Sequence, residues 1–286
     1  VETVTTPSFE RAGLIRKEKL MMQHNVLTQA EFSGIRSQYY KEIMLEMPEA
    51  RLEERKILMN HLSPKTNEKI LEIGAGTGFY SQYIAQLIFP GTLIASDPSA
   101  ELLSDIPIVP RQNIKVVIAG ADTLPVGEDP LEPCSFDAVW AFGCFHHVPD
   151  KTTSFKNLYL LLKPGGRVMI SDVFAGTKLA QYFDLAVAKY CATGHEVSFL
   201  SREFADSLCY LTGFEKPTFH DVKIPINFKS REDIGYFIYK LNAMIGITPE
   251  KCLKYVSEFL DIEHKNGLYT LIWPHTVLST RKGVYE

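Results

Sequence analysis

Glycines at 74, 76 and 78 alternate with single residues at the end of an apolar run, Ile70-Leu71-Glu72-Ile73-Gly74-Ala75-Gly76-Thr77-Gly78. A hydrophobic strand that ends in such a turn and feeds a helix lets a ligand approach main-chain N–H groups without meeting a Cβ. This is the local chemistry of a nucleotide-type site. The dinucleotide fingerprint needs G-x-G-x-x-G, whereas here the third glycine comes one residue early and an acid, Glu72, stands just before the turn.

Two further acids follow the next two strands. Asp97 ends Ile94-Ala95-Ser96-Asp97-Pro98, about twenty residues past the glycines, where a carboxylate can accept both ribose hydroxyls; Asp122 lies in Gly120-Ala121-Asp122-Thr123-Leu124-Pro125 and could take an adenine amino group. Open α/β sheets bind ligands at the carboxyl ends of their strands, and all three acids fall there. Glu72 would repel a pyrophosphate but suits a ligand carrying an ammonium and a sulfonium. The sign of the charge favours S-adenosylmethionine over a nicotinamide dinucleotide. A tight turn without a ligand is the plainer reading of the glycines, and a helix N-cap, with Pro98 in the first turn, is the plainer reading of Asp97.

His146 and His147 follow the fourth strand and face the region of a methyl acceptor, where an imidazole could deprotonate a hydroxyl nucleophile. His195 and Glu196 form a second acid/base candidate, equally well explained as a solvated loop. Tyr39 and Tyr40 are adjacent, so on a helix one packs while the other reaches the site. Tyr182, with Phe183, could line an acceptor pocket, although aromatics at helical spacing are more often core. The eight histidines show no metal-ligand spacing and none is assigned to a metal. Five scattered cysteines with no C-x-x-C pair argue against zinc and a disulfide framework and fit a reducing cytoplasm.

The elements that must position these groups alternate. Lys69–Ile73, Thr92–Asp97, Asn113–Ile118, Phe136–Ala141 and Gly166–Asp172 read as strands, with Tyr80–Ile88 and Thr152–Leu162 as helices between them, the pattern of βαβ units and a parallel sheet. Before them, apolar residues recur at helical steps from Phe9 to about Leu62 (Leu14, Leu20 and Met21, then Ile35, Tyr39, Ile43 and Met44), with Pro48 opening a third helix. After them, Lys178–Ala192, Ser201–Thr212, Ser230–Met244 and Pro249–Lys265 read as helices, and Phe214–Ile224 and Gly267–Thr280 as extended segments that pair antiparallel at one edge. The fold class is α/β: a doubly wound, mostly parallel sheet of seven strands with an antiparallel edge strand and helical caps. Residues 1–64 form a helical N-terminal cap, and 65–286 the main domain, with insertions at about 175–200 and 228–266.

Net charge −4, with no block of Lys or Arg, argues against nucleic acid as the main partner. No apolar run approaches the roughly twenty residues of a membrane span, and no basic and apolar leader opens the chain; the expectation is a cytoplasmic protein. An N-terminal helical segment without a full core of its own could pack on a second subunit.

Taken in order, ILEIGAGTG, SDPS, GADTLP, SFDAVWAFGCFHHVPD and LLKPGGRVMISD resemble the class I S-adenosylmethionine-dependent methyltransferases, especially the small-molecule branch of ubiquinone/menaquinone-biosynthesis type, over roughly Glu68 to Phe174. The resemblance implies that Gly74, Ala75, Gly76 and Gly78 wrap the amino-acid moiety of S-adenosylmethionine with Glu72 nearby. It implies that Asp97 holds the ribose, Pro98 flanks the adenine, and Ala121, Asp122 and Thr123 read its edge. Ala141 and Phe142 would face the methionine end, and an N-terminal tyrosine, Tyr39 or Tyr40, would lie over the cofactor. The product would be S-adenosylhomocysteine and the partner a small-molecule methyl acceptor. The turn AFGCFHH lacks the N/D-P-P-Y pattern that related enzymes use on amide and exocyclic amino nitrogens, which argues against DNA adenine and protein glutamine as acceptors, and the aromatic, weakly charged caps suit a carbon or oxygen acceptor on an apolar or aromatic molecule. A cyclisation on the same fold, or N-methylation of a small amine, is the alternative.

Overall fold

The computed structural model describes residues 32–107, 113–195 and 197–284. The expected helical positions Leu14, Leu20 and Met21, and Glu196 of the candidate acid/base pair, lie outside them.

Five strands form the parallel part of the sheet: β1 (Lys69–Ile73), β2 (Thr92–Asp97), β3 (Ile114–Ile118), β4 (Phe136–Phe142) and β5 (Leu162–Asp172). Their pairings are all parallel in the order β3-β2-β1-β4-β5. The apolar runs of β1, β2 and β4 are buried along nearly their whole length, as helices on both faces require. One apolar cluster joins one face to α1 (Ile35–Glu46), α2 (Leu52–Leu62) and α3 (Ser81–Ile88); a second joins the other face to α5 (Lys151–Leu161) and α7 (Arg202–Thr212). The short helix after β2, α4 (Ala100–Leu103), carries Ser99 as its N-cap.

Pro48 opens a 3-10 turn, Pro48–Arg51, and the α-helix begins only at Leu52. The helix read over Lys178–Ala192 starts as α6 (Lys178–Tyr182) behind the Thr177 cap. It then widens into a π-helical turn, Phe183–Val187, and ends with Ala188–Tyr190. Ser201 caps α7 by accepting from the Phe204 N–H, and Gly213 ends it at φ +90°.

The two late extended segments do pair antiparallel, as β6 (Thr218–Phe228) and the longer β8 (Leu268–Arg281). The antiparallel strand is β8, which sits between β5 and β6, one place in from the edge. The sheet has eight strands rather than seven, because the helix read over Pro249–Lys265 stops early. α8 (Arg231–Leu241) and α9 (Pro249–Phe259) are helical, but Ile262–Lys265 is a strand, β7, paired with Leu268–Leu271. Asn266 and Gly267 lie between them at φ +53° and +75°. An Asn-Gly pair with both φ positive is the two-residue hairpin turn that matches strand twist, and it overrides the helical periodicity before it. β8 thus meets β5 through residues 276–281 and β7 through residues 268–271, so its first half, with the end of β6, projects beyond the parallel sheet toward α8.

Candidate active site

The glycine turn is pinned to the strand beside it. The Gly74 and Ala75 N–H groups donate to the Ser96 carbonyl at 2.8 and 3.0 Å, and the Gly76 N–H donates to Asp97 Oδ2 at 2.9 Å. Asp97 Oδ1 accepts from the Ser99 N–H at 2.8 Å. Gly74 (φ +71°) has no room for a side chain: a Cβ would lie 2.4 Å from Cys144 Sγ. At Gly76 (φ +53°) a Cβ would point at the Tyr40 ring, 3.6 Å away. The turn is therefore a backbone cradle roofed by a tyrosine from α1.

A cavity opens on this cradle, lined by Gly74, Gly76, Asp97, Pro98, Ala121 and Asp122, with Tyr40 and Phe142 across it. A second cavity lies on the other side of the turn. It takes Glu72 and Ala75 from the turn, Trp140 and Phe142 from β4, Phe183 from the π-helical turn, Phe237 from α8 and Trp273 from the projecting half of β8. The two share Phe32, Tyr40, Ile73, Gly74, Phe142, Gly143 and His147.

Three expected cofactor contacts fall outside both cavities. Gly78 packs against Ile106, which a Cβ would meet at 2.7 Å, so this glycine makes room for the segment after α4. The Thr123 hydroxyl accepts from the Gly120 N–H at 2.9 Å and shapes the turn. Ala141 is a buried member of β4, paired with Ile73 and Ile170, and the lining positions are the next two, Phe142 and Gly143. Two expected substrate contacts are also elsewhere. Tyr39 faces α8, its hydroxyl 3.4 Å from that of Tyr239 and its ring beneath Lys240. Tyr182 is fully buried in the core between Phe183, Phe259 and Trp273. Of the adjacent tyrosines, Tyr40 is the one that reaches the site.

Two buried acids give the site its electrostatic character. Burial pushes the Glu72 carboxyl up to about 7, against the Ser81 hydroxyl, which donates to it at 2.5 Å, and the Trp140 indole. Burial likewise raises Asp97 to about 6, against the N–H groups of Ser99 and Gly76. Desolvated carboxyls of this kind favour a ligand that brings positive charge.

In and behind the second cavity the expected candidates His146 and His195 meet groups that chain spacing did not single out, Asp172, His275, Arg51 and Glu54. Asp172, at the end of β5, accepts from the His146 N–H at 2.9 Å on one oxygen and lies 2.6 Å from His146 Nδ1 on the other. Burial would raise its carboxyl, but His146, with His275 and the Val173 N–H, outweighs that and holds it below the ordinary range. His275, from β8, is pushed down to about 4 by burial, with Asp172 opposing. Arg51 is ion-paired with Glu54 at 2.6 Å, lies over the rings of Phe79, Tyr80 and Phe142, and Tyr80 donates its hydroxyl to the same Glu54. His195, from the segment after the π-helical turn, is 7% exposed, stacks on Phe183 at 4.9 Å and lies beside both His146 and His147. Burial and the neighbouring His146 push His195 down to about 2 and His147 well below its usual value. The fold thus assembles a histidine cluster from positions forty-eight residues apart, which no spacing pattern contains.

The residues present fit S-adenosylmethionine: a side-chain-free cradle, a strand-end acid, Asp97, lining the same cavity, and a buried acid, Glu72, beside the turn. Residues 71–168 match the family model of a methyltransferase domain. Over 131 residues the chain is 30% identical to 27-O-demethylrifamycin SV methyltransferase from Amycolatopsis mediterranei (45% of this chain, 46% of that protein). Over 118 residues it is 28% identical to a ubiquinone/menaquinone biosynthesis C-methyltransferase from Pectobacterium carotovorum (38% and 43%). These matches span less than half the length of either relative. Among solved structures, phosphoethanolamine N-methyltransferase 2 of Haemonchus contortus, in complex with S-adenosyl-L-methionine, superposes with a TM-score of 0.55 at 19% identity, covering 81% of this chain and 53% of that one. No helix among the described residues is long and apolar enough to cross a membrane. Residues 71–168 thus carry a methyltransferase domain, similar over that stretch to the domains of S-adenosylmethionine-dependent methyltransferases.

Proposed function

We propose that the protein transfers the methyl group of S-adenosylmethionine to an oxygen or carbon of a small, largely apolar or aromatic molecule by in-line displacement. The observation that carries this reading is the junction of the two cavities at Tyr40, Phe142, Gly143 and His147. A ligand seated on the glycine cradle and one seated among the aromatics of the second cavity would meet there. When bound, the cofactor supplies a methyl already activated on a sulfonium, so positioning and exclusion of water do most of the remaining work.

In this reading Gly74, Ala75 and Gly76 hold the amino-acid moiety, Asp97 the ribose, and Pro98, Ala121 and Asp122 the adenine. Glu72 balances the positive charge from below. Tyr40 closes the roof. Phe183, Phe237 and Trp273 supply flat apolar surface for the acceptor, and His146 and His147 are the polar groups nearest its nucleophilic atom. The aromatic part of the wall, with Arg51 charge-paired to Glu54 beside it, supports an acceptor without multiple charges.

Candidate acceptors incubated with methyl-labelled cofactor should yield a labelled product, and a Gly76→Val variant, whose side chain would meet Tyr40 at positive φ, should bind the cofactor at least tenfold more weakly. Wild-type affinity in that variant, measured by calorimetry, would refute the cradle assignment.

A further inference from the structure

We propose that His146, His147 and His195 form a site for one divalent transition-metal ion in the acceptor cavity. One ring nitrogen from each can be chosen so that all three lie within 4.8 Å of one another. The ligands come from two separate elements, the 3-10 turn Phe145–His147 after β4 and the connector after the π-helical turn, and both line the second cavity.

Two observations beyond proximity point to a ligand. His146 is oriented from behind: its Nδ1 is engaged by Asp172 at 2.6 Å, which leaves Nε2 as the atom turned to its neighbours. A carboxylate bound to the far nitrogen of an imidazole is the usual support of a metal-ligating histidine, because it fixes the ring and raises its basicity. His195 is buried, yet its Nδ1 has no hydrogen-bond partner among the described residues. A buried donor or acceptor with no partner asks for an explanation, and an ion supplies one.

The donor set selects the ion. Three imidazoles suit zinc, cobalt, nickel, copper or iron, whereas magnesium and calcium take oxygen ligands. Zinc–nitrogen bonds of about 2.0–2.1 Å place tetrahedral ligands closer together than 4.8 Å, so the rings must rotate inward on binding. Asp172 supplies one negative charge to the cluster, while Arg36 from α1 and Lys151 from α5 place positive charge near it. The affinity is accordingly lower than that of a closed thiolate zinc site. Three protein ligands leave a position open toward the cavity, where a hydroxyl or enol oxygen of the acceptor would bind. That role rests on the methyltransferase reading; the binding of the ion does not.

The experiment uses the full chain after chelator treatment, titrated with Zn2+ by calorimetry and with Co2+ by visible absorption. One equivalent should bind, with the ligand-field bands of nitrogen-coordinated Co2+. His195→Ala and His146→Ala should each weaken binding at least tenfold, and Asp172→Asn by about 10–100-fold. S-adenosylhomocysteine binding, read on each variant, reports that the fold and the cofactor cavity persist, since His195 does not line that cavity. No stoichiometric binding to the wild type, or unchanged affinity in a folded His195→Ala variant, would overturn the site. Metal binding by a wild type that fails to bind S-adenosylhomocysteine would leave the site standing and remove the functional reading instead.

Discussion

Glu72 and Asp97 have carboxyls raised by burial to about 7 and about 6, and this gives cofactor binding a definite pH dependence. An acid whose folded-state value is raised stabilises the fold below its unfolded value and loses that contribution as pH rises through the folded one. The ligand-free protein should therefore lose stability between about pH 4 and pH 7, from the unfolded values of the two acids to their raised folded ones. A cationic cofactor prefers the ionised acids, so S-adenosylmethionine should bind more tightly over the same interval and release protons as it binds. Calorimetry at pH 6 in two buffers of different ionisation enthalpy reads that release directly; an affinity that is flat or falls with pH would contradict it. These two acids were visible in the sequence because each ends a strand beside a recognisable turn. Asp172 ends a strand too, but its meaning comes from His146, twenty-six residues earlier, and nothing in the chain's local pattern links them. Arg51 and Glu54 are i,i+3 neighbours at a helix start and read as a surface pair until the fold buries them.

At the scale of elements, the first four parallel strands were legible to within a residue or two, since their apolar runs leave little choice of sequence, whereas β5 begins at Leu162, four residues before the Gly166 read from the sequence. Two kinds of departure were not legible. The π-helical turn at Phe183–Val187 inserts a residue into a helix whose apolar spacing alone reads as regular. The β7 hairpin was hidden by a run of helical spacing, although Asn266-Gly267 carried the turn in plain view. α8, which brings Phe237 to the second cavity, starts with a full capping box: Ser230 accepts from the Asp233 N–H and Asp233 accepts from the Ser230 N–H. Replacing Ser230 with alanine should cost about 1 kcal/mol, seen as a fall in Tm of roughly 2–4 °C for a chain of this size. A Tm unchanged within error would mean that packing on α9, not the cap, holds this helix.

The whole molecule places the parallel sheet at the floor and three separate stretches of chain above it: α1, the segment after α6, and the β6–β8 projection with α8. The sheet and its cradle were predictable from motifs in fixed order. The covering was not, because its parts lie far apart in sequence and outside the matched domain. Occupancy of the cradle should slow backbone hydrogen exchange in α1 as well as in the glycine turn, since Tyr40 bridges them. Exchange in Ile35–Glu46 that ignores S-adenosylhomocysteine would show that α1 does not close on the ligand.

Phe32 and Tyr40 line both cavities, and that shared boundary has a kinetic reading. Residues that close over one ligand also form the mouth for the other, so the two substrates cannot enter independently. On the proposed function, the molecule on the cradle would arrive first and its by-product would leave last. Steady-state rates should then follow a compulsory order, with S-adenosylhomocysteine competing against the methyl donor alone and inhibiting noncompetitively toward the acceptor. Removing the Tyr40 ring should loosen that order toward random entry, so a single aromatic side chain would govern turnover through sequence of events as much as through affinity.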